Sequence, residues 1–95
     1  MQLLWTPRSR RQREAAIDYI AEQDPITALA VLDRIEQQTD VLLQEPELGR
    51  PGRKQGTREL VISRTPFIVV YRVRPKAKRI ELLTLLHGSQ QWPAA

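Results

Sequence analysis

The pair Asp24-Pro25 constrains this chain more than any other feature, because it reads as the end of one helix and the start of the next with no linker between. Asp is a preferred N-cap, and proline suits the first helical position, where its fixed φ fits and its missing N–H costs nothing. Upstream, from Pro7, good helix formers carry Ala16, Ile17, Ile20 and Ala21 at the spacing of one apolar stripe, which predicts a helix to about Gln23. Downstream, Ala28, Leu32, Ile35 and Leu42 recur in steps of four, three and seven, widened by Leu29, Val31 and Leu43; this second helix should end near Glu45, before Pro46. Two helices so joined form an antiparallel hairpin, and its apolar faces need a further layer to cover them.

The second half of the chain supplies that layer. RELVIS, FIVVYRV and RIELLTLL are runs of β-type residues, separated by Thr65-Pro66 and by the turn from Pro75 to Lys78. Connections this short favour an antiparallel meander. LLWT, stopped by Pro7, reads as a first strand. The expected fold is therefore α+β in the order β-α-α-β-β-β, an N-terminal strand and helical hairpin packed on an antiparallel sheet, in one domain spanning residues 1–95. In the middle strand, alternation sets Phe67, Val69, Tyr71 and Val73 on one face and Ile68, Val70, Arg72 and Arg74 on the other.

Several chemistries are excluded at once. With no cysteine and a single histidine, the chain has neither a disulfide framework nor the ligands of a metal cluster, and no cofactor motif is present. The N-terminus reaches charged residues after a few apolar ones, and no run approaches a membrane span, so a soluble, cytoplasmic protein without a membrane partner is expected. The charge is unevenly spread. Residues 1–49 carry five Arg/Lys against nine Asp/Glu, net −4, whereas residues 50–95 carry ten against two, net +8. Such asymmetry is the footprint of a surface for nucleic acid or another anion.

Within the basic half, Arg50, Arg53, Lys54, Arg58 and Arg64 lie on or beside a Gly/Pro-rich loop, where guanidinium forks can grip phosphate oxygens. Glu47 and Glu59 flank that loop and are read as partners for its arginines. His87, where the last strand ends, is the one side chain whose ordinary pKa suits proton transfer near neutral pH. Tyr71 shares a face with Phe67 and Val69 and is read as core rather than as a base-stacking platform. The cluster Arg8, Arg10, Arg11 and Arg13 has helical spacing and is read mainly as a solvated face. One His, several arginines and a lysine would suffice for RNA cleavage, in which the 2′-hydroxyl is the nucleophile and the protein need only orient it, move protons and stabilise charge on phosphorus.

Taken in order, LLW, AAIDYIAEQDP, LDRI, PELGRPGRKQGTRELV, FIVVYRV and the ending HGSQQWP resemble the RelE/ParE superfamily of toxins from bacterial type II toxin–antitoxin modules. The resemblance covers nearly the whole chain. It implies a cognate antitoxin as partner and either of two targets: the ribosome, where RelE-like members cut mRNA, or DNA gyrase, which ParE-like members poison without a nuclease site. Ribosome-dependent mRNA cleavage is the expectation taken first, with gyrase poisoning as the alternative. Carried over by position, the resemblance implies catalytic roles for His87, Arg64 and Arg58, with Lys54 a looser match; Arg50, Arg53, Arg72 and Gln91 are expected to be nucleic-acid-binding residues. Gln90 and Gln91 stand where many members carry arginines.

Overall fold

A computed structural model describes residues 1–89. Its elements are β1 (Gln2–Trp5), α1 (Pro7–Gln23), α2 (Pro25–Asp40), a 3-10 turn (Val41–Leu43), β2 (Arg50–Pro51), β3 (Arg58–Val61), β4 (Phe67–Arg74) and β5 (Arg79–His87). Asp24 closes one helix and opens the other: its amide donates to the Ile20 carbonyl at 2.8 Å, and its carboxylate accepts from the Ile26 and Thr27 amides at 3.1 and 3.2 Å. The Thr27 hydroxyl and amide, donating to that carboxylate, hold Asp24 below the ordinary carboxylate pKa. Thr6 caps α1 in the same way, accepting from the Ser9 amide at 3.2 Å ahead of Pro7.

The helical path ends earlier than the apolar spacing predicts. After Asp40 the backbone tightens into the 3-10 turn, which still delivers Leu42 to the core fully buried. Thr39 sits just before the change, and its hydroxyl donates back to the Ile35 carbonyl at 2.8 Å, a local bond that competes with helix continuation.

The sheet has five strands in the order β1-β5-β4-β3-β2. β3, β4 and β5 form the expected antiparallel meander, but β1 joins β5 in parallel, with Gln2 opposite Arg79 and Trp5 opposite Leu82, so the sheet is mixed. Three apolar residues in a four-residue strand carry no signal of strand direction; the return path through the hairpin sets it. β2 is a second departure, a two-residue strand inside the basic loop that pairs Arg50 with Glu59 and Pro51 with Arg58.

The core lies between the hairpin and one face of the sheet. Val31, Ile35 and Leu42 meet Leu60, Val69, Tyr71, Ile80 and Leu82 there, while Ile68, Val70 and Leu86 form a smaller cluster on the other face, called the open face below. The predicted alternation of β4 thus holds. It survives a bulge: Val70 pairs with Thr84 and Tyr71 with Leu82, leaving Leu83 as the extra residue of β5.

Side chains finish what the strands leave unpaired. Past Leu82, the edge of β5 meets α1 instead of β1, and Gln12 Oε1 accepts from the Leu85 amide at 2.9 Å. Past β2, the Gln38 carboxamide serves the backbone of Ser63 as a neighbouring strand would, accepting from its amide at 2.7 Å and donating to its carbonyl at 3.2 Å. Among the described residues, no helix is long and apolar enough to cross a membrane.

Candidate functional site

The basic loop proves to hold a carboxylate. Glu59, on the open face opposite Val70, is only 2% exposed, and the loop folds over it: Arg50 Nη2 donates to Oε1 at 3.1 Å, the Arg53 amide to Oε2 at 3.0 Å, and Arg53 Nε approaches the same carboxylate. Burial pushes the Glu59 carboxyl up, but the Arg53 amide and the two guanidiniums outweigh it, and the net direction is down. Arg50 and Arg53, expected on a nucleic-acid surface, are therefore committed to an internal anion, with their side chains about half exposed. The reading of Glu59 as a partner for the loop arginines is what the geometry shows; Glu47 contributes only its backbone carbonyl, to Arg58.

Arg58 and Tyr71 face each other across β3 and β4, on the helix side, and together fasten residues 46–49. Arg58 Nη1 donates to the Gly49 carbonyl at 2.8 Å; the Tyr71 hydroxyl donates to the Pro46 carbonyl at 2.7 Å and accepts from the Gly49 amide at 2.9 Å. Gly49 is required by close approach, since a Cβ there would lie 2.7 Å from Tyr71 Cε1 and 2.9 Å from the Glu59 carbonyl. Burial raises the Tyr71 pKa, keeping the hydroxyl protonated as a donor. Arg58 also lines a groove of about 650 Å³ whose walls mix the apolar Pro46, Leu48, Val73 and Pro75 with Glu45 and Glu47.

The opposite end of the sheet holds His87 and Arg64. His87 pairs with Phe67, and the rings meet edge to face with centroids 6.0 Å apart. The Ser89 amide lies 3.3 Å from His87 Nδ1 and the Ser89 hydroxyl 2.9 Å from the same nitrogen. Arg64 occupies the turn between β3 and β4 in the left-handed region, φ +65°, with its carbonyl accepting from Arg34 Nη1 at 3.2 Å. The turn is locked by the Thr65 hydroxyl, which donates to the Ile62 carbonyl at 2.9 Å and accepts from the Phe67 amide at 3.1 Å.

The four residues expected to be catalytic are thus brought together only in part. His87 and Arg64 share one end of the sheet. Arg58 lies four residues along β4, about 13 Å, and two strand spacings, about 10 Å, from His87. Lys54 sits in the β2–β3 turn, beside Arg72 and Thr84 of the open face. Gln91 falls outside the described residues. His87 shares the helix-side face with its partner Phe67, whereas at this end the open face carries Ile68 and Leu86, with Val61 half exposed beside them. Sequence reasoning missed Arg34 and Gln38, which shape the Arg64 turn from α2; their only sequence signal is a polar position on the flank of an apolar stripe.

Residues 3–92 match the family model described as the ParE toxin of the type II toxin–antitoxin system parDE. The chain belongs to the ParE toxin family. It is 42% identical over 89 residues to the "Putative toxin Y4kP" of Sinorhizobium fredii, covering 94% of this chain and 90% of that protein. Among solved structures, the chromosomal ParDE toxin–antitoxin system from P. aeruginosa superposes with a TM-score of 0.81 at 29% identity, over 92% of this chain and 95% of the other. The RelBE2 toxin–antitoxin complex from Mycobacterium tuberculosis shares the fold, with a TM-score of 0.57 at 19% identity over 90% and 95% of the two chains. This ParE-family chain is accordingly a toxin of a type II toxin–antitoxin system, in the wider RelE/ParE superfamily.

Proposed function

We propose that this ParE-family toxin arrests growth by binding and poisoning DNA gyrase, and that a cognate antitoxin neutralises it. The observation that carries this reading is the dispersal of the residues expected to be catalytic: Arg58 is tied to the carbonyls of Gly49 and Glu47, four residues along β4 and two strands from His87, and Lys54 lies by the opposite face. A phosphoryl-transfer site needs its acid, base and charge-stabilising groups converging within hydrogen-bond reach of one phosphate. Binding a large partner asks only for a firm surface, and the loop clamped by Glu59, Arg58 and Tyr71 is firm. The antitoxin reading rests on the two similar structures, both of them toxin–antitoxin systems. On this reading the toxin acts in the cytoplasm, where gyrase works.

The ribosome reading keeps one observation in its favour, an ordered His87 beside the Arg64 turn. Two assays on the same protein separate them. With purified gyrase, ATP and supercoiled plasmid, the toxin should accumulate linear DNA, and His87→Ala should do so equally. With a purified translation mixture, primer extension should find the mRNA intact. New mRNA ends that require ribosomes and vanish in His87→Ala would overturn the gyrase reading and restore mRNA cleavage.

A further inference from the structure

The N-terminus of α1, the β2–β3 turn and the open face of the sheet meet around a cavity of about 470 Å³. Three cations line it, Arg8, Lys54 and Arg72, and no carboxylate does. Charge compensation nearby is incomplete. Glu81 binds Arg72 Nε at 2.6 Å but is shared with Arg79 at 2.8 Å and Arg74 at 3.8 Å, one carboxylate for three guanidiniums, while Glu59 is occupied by Arg50 and Arg53. Arg8 and Lys54 form no ion pair among the described residues.

The backbone adds to the same field. The first turn of the 17-residue α1 has no acidic residue, so the positive end of its dipole is not offset by a side chain, and that turn borders the cavity through Thr6 and Arg8. Opposite, Gly56 holds the turn after Lys54 at φ +82°, with nothing within 4 Å of where its Cβ would stand, so a ligand can approach the backbone closely. Cations around one cavity, a helix N-terminus and an open glycine turn, with no carboxylate in the lining, are the requirements of a phosphate site.

We infer that this cavity binds a phosphate group, and that the phosphate belongs to a nucleic-acid backbone. The polymer is favoured because Arg72, on the cavity wall, is followed along the open face by the paired positions Arg74 and Arg79, a cationic track rather than an isolated point. The inference does not depend on whether gyrase or the ribosome is the target, since neither is needed for its test.

Binding of a fluorescein-labelled duplex DNA to the isolated toxin is measured by anisotropy across a salt series, and binding of inorganic pyrophosphate by calorimetry. Arg8→Gln/Lys54→Gln should weaken DNA binding about tenfold and lower the salt slope by about 2, whereas Arg10→Gln/Arg11→Gln, the same charge change on α1 outside the cavity, should lower both by much less. Thermal melts confirm that both variants are folded. Loss of pyrophosphate binding in the first variant, with duplex binding unchanged, would support the phosphate site and assign it to a free phosphate instead. Equal losses in the two variants, or no binding of either probe by the wild-type chain, would overturn the inference.

Discussion

Tyr71 uses its hydroxyl in both directions, as donor to the Pro46 carbonyl and acceptor from the Gly49 amide, and its ring is fully buried in the main core. It joins the packing of the sheet to the loop that carries most of the basic residues. Tyr71→Phe keeps the ring but leaves the buried Gly49 amide without an acceptor, and should cost about 1–3 kcal/mol. Urea unfolding checks it: the midpoint should fall with the slope unchanged, and an unaltered midpoint would mean the loop anchors without this residue. The residue was legible in part. Its face followed from alternation with Phe67 and Val69, whereas its partners lie more than twenty positions away, beyond any local pattern.

At the scale of elements, the β2–β3 loop is organised around an anion. Glu59 has a folded pKa below its ordinary value, so the clamp stabilises the folded chain above the unfolded carboxylate pKa, about 4.3, and that contribution is lost as the pH falls through the lower folded value. Glu81, its pKa lowered chiefly by the Arg72 hydrogen bond, acts in the same direction. Thermal melts between pH 7 and pH 3 should therefore show wild-type stability declining on the acid side, with a shallower decline in Glu59→Gln; parallel curves would contradict the clamp. Because its arginines are half exposed, the substitution should cost about 1–3 kcal/mol at pH 7, the scale of charge-assisted hydrogen bonds. The elements differed in how plainly they could be read. Asp24-Pro25 marked the second helix start by capping chemistry, which is local, whereas Thr6, read as the end of a strand, proves to cap the first. β2, two residues without alternation, and the parallel partner of β1 are products of tertiary pairing, and no periodicity announces them. The charge of the loop and Glu59 as a partner for its arginines could both be read; that Glu47 offers them a backbone carbonyl instead of its carboxylate required the fold.

Seen whole, the molecule is electrostatically polar. Residues 14–40, the hairpin beyond the four arginines that open α1, hold seven Asp/Glu against Arg34 alone, while the other cations lie at the start of α1, on the loop and on the sheet. A gradient of this kind orients an approaching polyanion toward the open face. The likeness to toxins could be read from ordered motifs along the whole chain. The spread of His87, Arg64, Arg58 and Lys54 could not, because it depends on which end and which face of a five-stranded sheet each strand position reaches.

The Gln38 clasp on Ser63 bears on how the toxin behaves when it is alone. Where β2 stops short, β3 would present an unpaired rim of amides and carbonyls, a template on which another chain could add a strand. One carboxamide occupies the end of that rim, at Ser63 just past β3, standing in for a missing neighbour. Gln38→Ala should leave the monomer folded but raise its tendency to self-associate with concentration, read by light scattering at matched protein levels; a strictly monomeric variant would show that the rim is guarded elsewhere. A protein released from its partner to act must stay soluble in the interval, and a single side chain guards that rim against its own copies.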